Sequence, residues 1–122
     1  MRLKTLILIV FMLAFLPTMA QSDTITVGKI GCDYIRIQTA INEANPGDTL
    51  EVQSGVYYEN VNVTKPLILK GTGMPVVNAQ NKGSAIILSG GGITLDGFVA
   101  TNSGGGLYEA GIKVMGGDRL SG

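Results

Sequence analysis

The sequence predicts an all-β solenoid: a right-handed parallel β-helix with an N-terminal capping helix. Three observations carry that prediction. After residue 48 the apolar residues come in short bursts, each bounded by Gly, Asn, Ser, Asp or Pro. The bursts recur at a spacing of 22 to 26 residues. A single helical stripe precedes them and does not return.

The chain opens on a segment that belongs to no fold. Arg2 and Lys4 precede the apolar run Leu6 to Leu16, Pro17 breaks it, and Thr18-Met19-Ala20 places small residues where a signal peptidase cuts. That is the layout of a secretory signal peptide over residues 1–20. The run is shorter than the roughly 20 apolar residues a membrane span needs, so contact with a membrane is expected only through this leader before cleavage. The 122-residue chain is neutral, with nine basic and nine acidic side chains. Without Arg2 and Lys4 it carries seven basic against nine acidic residues, a net charge of −2. A mildly acidic exported chain is expected, secreted or held at the cell surface, with no nucleic acid as partner.

Composition narrows the chemistry. There is no histidine, which excludes a Ser-His-Asp triad, a Cys-His pair and every histidine metal site. The lone Cys32 has no intramolecular partner and reads as a small, buried apolar side chain. All 18 glycines lie after Ala20, as the corners of a coil require.

Residues 21–48 form the N-terminal strand and capping helix. Ile37, Ala40, Ile41 and Ala44 fall at i, i+3, i+4 and i+7, with Gln38, Asn42 and Glu43 on the wet side. Asp33 is the expected N-cap, and Asn45-Pro46-Gly47-Asp48 stops the helix. Residues 49–122 supply the coil. Its bursts are Leu50-Glu51-Val52, Val61-Asn62-Val63, Leu67-Ile68-Leu69, Val76-Val77, Ile86-Ile87-Leu88, Ile93-Thr94-Leu95, Phe98-Val99-Ala100 and Ile112-Lys113-Val114. Several carry a polar middle residue, the mark of a strand with one dry and one wet face.

Spacing separates a coil from a sandwich. Val61 to Ile86 is 25 residues and Ile86 to Ile112 is 26; Leu67 to Ile93 is 26; Leu50 to Val76 is 26 and Val76 to Phe98 is 22. Three interleaved series with one period, inside the range of about 20–50 residues typical of repeats, predict a three-sided coil. Asp96-Gly97, the one hairpin-like dipeptide, joins bursts assigned to different sides. The helix would cover the open first turn. About two to three turns are expected, with the coil either continuing downstream or docking its open end on another chain.

The run Ile37-Gln38-Thr39-Ala40-Ile41, then Ala44-Asn45-Pro46-Gly47-Asp48-Thr49, Gly55-Val56-Tyr57-Tyr58-Glu59-Asn60-Val61, Lys65-Pro66-Leu67 and Leu69-Lys70-Gly71, resembles the opening of pectin-lyase-like β-helix proteins. It is most similar to NosD-type β-helix domains and to surface proteins of methanogenic archaea. The following stretch, Ile93 to Phe98 with Thr101-Asn102-Ser103, resembles their next turn. The resemblance covers nearly all of the chain after residue 20 and implies fold more than function, because the superfamily hosts lyases, esterases and non-catalytic stalks. Arg36 departs from the usual Ser or Thr before Ile-Gln, so a different helix cap is expected.

Pectinesterases share this opening and supply the enzymatic alternative: an N-terminal part of a polysaccharide-acting enzyme, esterase- or lyase-like, without its catalytic turns. Glu109 falls where such enzymes resemble Gln-Ala-Val, and an ionised carboxylate cannot donate to an oxyanion. No catalytic residue is therefore assigned. Asp33, Asp48, Glu51, Asp96 and Asp118 are scattered and read as turn and cap residues, not as calcium ligands. Cys32, Met74 and Met115 lie too far apart in sequence for a copper site, so no metal and no cofactor is expected. Gly90-Gly91-Gly92 and Gly104-Gly105-Gly106 lack the Lys-Ser/Thr of a phosphate loop and read as corners. Tyr57, Tyr58 and Tyr108 are candidate carbohydrate contacts, since an aromatic plane suits the apolar face of a sugar. Asn62-Val63-Thr64 is an N-glycosylation sequon, with Asn62 pointing outward between Val61 and Val63. The expected partners are cell-surface glycan or other surface-layer proteins, and the expected role is a non-catalytic surface module.

Overall fold

A computed structural model describes residues 22–107 and 109–116. The expected leader, Tyr108 and Asp118 lie outside the described residues. The elements in chain order are β1 (Thr24–Val27), α1 (Ile37–Glu43), β2 (Thr49–Val52), β3 (Val56–Tyr58), β4 (Val61–Val63), β5 (Ile68–Gly71), β6 (Val76–Asn78), β7 (Ile86–Ser89), β8 (Thr94–Asp96), β9 (Val99–Thr101) and β10 (Ile112–Met115). Every pairing between strands is parallel and each skips two strands or the helix, so the chain coils. Three sheets result, in the orders β1-β2-β5-β8, β3-β6-β9 and β4-β7-β10. The chain is a parallel β-helix, with three full turns stacked on β1.

Alternation within each strand builds the core. Leu50 and Val52 turn inward from β2 while Glu51 turns out, and Val61 and Val63 turn inward from β4 while Asn62 turns out. Parallel register then stacks like on like. Ile25, Leu50, Leu69 and Leu95 form one inward ladder. Tyr57, Val77 and Ala100 form a second, and Val63, Leu88 and Val114 a third. On the wet face of the first sheet Thr26, Glu51, Lys70 and Asp96 lie in register, so that charges of opposite sign neighbour one another.

Two parts of the expected arrangement differ. β2 stacks on β5, with Thr49 opposite Ile68, and not on β6. The first full turn is shorter than the later ones: Thr49 to Ile68 is 19 residues, whereas Ile68 to Thr94 is 26. The second sheet begins instead with β3, whose inward residue is an aromatic, Tyr57, following Gly55; it makes no aliphatic burst. β1, the expected N-terminal strand, adds one level to the first sheet beneath the three full turns.

The helix closes the N-terminal end by a route other than the expected one. Arg36 holds the N-cap position with extended backbone and no side-chain cap bond. Asp33 does not cap the helix; its Oδ2 accepts from the N–H and Oγ1 of Thr26 at 3.0 and 3.1 Å. The cap comes from the first full turn. Glu59 accepts the N–H of Ile37 at 2.9 Å and that of Gln38 at 3.0 Å. At the other end Lys65 Nζ donates to the carbonyls of Ile41, Asn42 and Ala44 at 2.8, 3.1 and 2.6 Å. An anion at the N-terminus and a cation at the C-terminus both oppose the helix dipole. Two charges from the loops flanking β4 thus clamp a helix too short to hold itself. Ile37, Ala40, Ile41 and Ala44 bury the predicted stripe against the first turn.

Candidate functional site

Most polar side chains that sequence could suggest for chemistry are committed to backbone groups. Asp48 is 2 % exposed, and its carboxylate accepts the N–H groups of Asp23 and Asn45, both at 2.8 Å. Those two donors hold it below the usual carboxylate range; burial opposes them, and the Lys65 ammonium adds to the lowering. Glu109 Oε2 accepts the Gly106 N–H at 2.6 Å and closes the glycine-rich loop before β10. Asp33, Asp48, Glu59 and Glu109 are therefore all turn or cap carboxylates. Among the described residues no three His, Cys, Asp or Glu side chains gather as a metal site. Cys32 is half-buried rather than buried, its Sγ 3.6 Å from the Ile30 carbonyl.

The tyrosines divide. Tyr57 is 8 % exposed, and its hydroxyl donates to the Gln53 carbonyl at 2.7 Å. Its ring belongs to the core ladder, and the residue also lines the smaller cleft beside β3. Desolvation, then the neighbouring Cys32 and Glu59, raise its phenol above the ordinary tyrosine value. Tyr58, the next residue on the strand, is 58 % exposed and points outward.

Two depressions mark the surface of the coil. A cleft of about 380 Å³ is lined by Thr26, Glu51, Gln53, Ser54, Thr72 and Gly73 along the corner between the first and second sheets. Hydroxyls, an amide and a carboxylate supply both donors and acceptors there, a lining suited to polyhydroxylated molecules. A smaller cleft of about 160 Å³ lies beside Tyr58, between β3 and the loop carrying Lys29, Ile35 and Arg36. Sequence reasoning missed the first cleft, since its residues come from three successive levels.

Asn62 projects from β4 with its neighbours Val61 and Val63 buried. Its backbone is fixed from the helix: the Asn62 N–H donates to Gln38 Oε1 at 2.8 Å, and Gln38 Nε2 donates to the Asn62 carbonyl at 3.1 Å. The sequon asparagine thus stands on a hydrogen-bonded, outward-facing strand position.

Fold and surface define a capped parallel β-helix with one polar cleft, one smaller mixed cleft and outward strand positions. The chain is similar to a cell surface glycoprotein of Methanothermus fervidus, with 28 % identity over 109 residues, covering 87 % of this chain and 18 % of that protein. The chain therefore spans about a fifth of the relative's length. No family model matches the chain, and no solved structure does.

Proposed function

We propose that this chain is a non-catalytic structural module of an exported cell-surface protein, of the pectin-lyase-like, NosD-type kind that its opening motifs resemble. One observation supports this above the rest: its loop carboxylates accept backbone N–H groups that hold turns and the helix cap in place. A carboxylate whose oxygens are engaged by backbone donors is positioned for architecture, and in Asp48 those donors also hold the carboxyl below the usual carboxylate range. The similarity to a cell surface glycoprotein supports the surface location. Carbohydrate contact is assigned to the exposed Tyr58, whose ring borders the smaller cleft, and glycosylation to Asn62.

The test is threefold on one preparation of the secreted chain. Incubation with pectin and other polysaccharides gives no turnover. Binding to a panel of surface glycans weakens about tenfold in Tyr58→Ala, as loss of one stacking ring implies. The mass of the protein secreted by a glycosylating host falls by one glycan in Asn62→Gln. Turnover by the purified chain overturns the non-catalytic reading; unchanged binding or unchanged mass overturns the corresponding contact.

A further inference from the structure

A parallel coil leaves one side of the first strand in each sheet without a strand partner. The N-terminal cap fills two of these three edges. On β1, the Thr26 N–H donates to Asp33 Oδ2 at 3.0 Å, the Thr26 carbonyl accepts the Tyr34 N–H at 3.1 Å, and the Gly28 N–H donates to the Tyr34 carbonyl at 2.9 Å. On β4, the Gln38 side chain takes both backbone groups of Asn62.

The second sheet starts at β3. There the Val76 N–H donates to the Gly55 carbonyl at 2.8 Å. Backbone direction alternates along a strand, so Gly55 and Tyr57 face β6 while Val56 and Tyr58 face away from it. The N–H and carbonyl groups of Val56 and Tyr58 have no hydrogen-bond partner among the described residues.

The surroundings of this edge are unlike a solvated strand end. Ile35 is 67 % and Val56 42 % exposed, and both line the small cleft with Tyr58. Lys29 and Arg36 line it too, and neither side chain has a hydrogen-bond or ion-pair partner among the described residues. The one acid there, Glu59, is engaged with the helix N-terminus. The edge therefore offers in-register backbone groups, apolar side chains and two unpaired cations.

We propose that β3 receives an extended acidic segment of a partner polypeptide as an added strand. Backbone groups supply the pairing, and acidic side chains on the incoming strand meet Lys29 and Arg36. A second copy of this chain is the less suitable occupant: pairing β3 to β3 about a two-fold axis sets the cations of one copy near those of the other.

Amide hydrogen exchange of the full chain, read residue by residue, tests it with a short capped peptide alternating valine with aspartate and a matched peptide alternating valine with lysine. The aspartate peptide is expected to slow exchange at Val56 and Tyr58 on the order of tenfold or more, and the lysine peptide to leave both unchanged. Lys29→Glu reverses one charge on an exposed loop and weakens aspartate-peptide binding on the order of fivefold. Val56→Pro removes a donor that faces away from β6 and abolishes the protection at Tyr58. Should Val56→Pro fail to fold, the Lys29→Glu comparison decides alone. Equal protection by both peptides, insensitivity to Lys29→Glu, or concentration-dependent protection without peptide overturns the proposal, the last by making a second copy the occupant.

Discussion

A buried carboxylate that accepts two backbone N–H groups is held in place by them and in turn holds them, as Glu59 does for Ile37 and Gln38. Removing its oxygens leaves the buried Ile37 N–H without a partner. Glu59→Ala is expected to lower stability by about 2–3 kcal/mol in urea unfolding, and Glu59→Gln, which keeps an acceptor, by about 1 kcal/mol. Asp48 adds a pH dependence with a definite sign. Its folded pKa lies below the unfolded one, so its contribution is complete above the unfolded value of about 4 and is lost as pH falls through the folded value. Asp48→Asn is expected to be less stable at neutral pH and to show a shallower loss of stability in acid, measured by urea midpoints at a series of pH values. Neither Glu59 nor Asp33 follows a local capping rule, because the donors Glu59 serves lie 21 and 22 residues earlier. A signal for Glu59 is nonetheless present in the parity of the strand. Tyr57, Glu59 and Val61 share the inward parity, and a carboxylate between two core positions requires buried donors.

At the level of elements, periodicity carried the reading of the helix and most of the sheets. The helical stripe at Ile37, Ala40, Ile41 and Ala44 is the buried one, and the series Val61, Ile86, Ile112 is the third sheet in register. The pairing of β5 with β8 and of β6 with β9 also follows from the spacing. The first full turn was not legible. A constant period placed β2 over β6, because the short turn hides its third strand in Val56-Tyr57-Tyr58. A tyrosine stacked on Val77 does the work of an aliphatic residue there. The small residues at the first-to-second-sheet corner are set by close approach between levels. Gly97 has φ +82°, and a Cβ added to it would lie 2.6 Å from the Gly71 carbonyl oxygen. Gly97→Val combines a disfavoured φ with that collision and is expected to cost about 3 kcal/mol or more, seen as a lower thermal midpoint. Gln38→Ala removes the two bonds that finish the third sheet and is expected to cost about 1–2 kcal/mol.

Over the whole molecule, each level of a coil touches only the levels beside it, so stability and solubility both depend on how its ends are finished. The N-terminal finish stands in for a missing strand: the Asp33 side chain and the Tyr34 backbone on the first sheet, and the Gln38 side chain on the third. The second sheet has no such substitute among the described residues, and apolar and cationic side chains border its open edge, where the added strand is proposed. A coil whose outward positions stack in register suits the proposed surface role, since glycan or protein partners then meet a preorganised face. Amide hydrogen exchange of the free chain, resolved by residue, tests this arrangement directly. Thr26, Tyr57 and Asn62 are expected to be protected, while Val56 and Tyr58 on the same short strand as Tyr57 exchange at least about a hundredfold faster. Protection of Val56 and Tyr58 equal to that of Tyr57, or rapid exchange at Asn62, would contradict a cap that closes two sheets and leaves the third open.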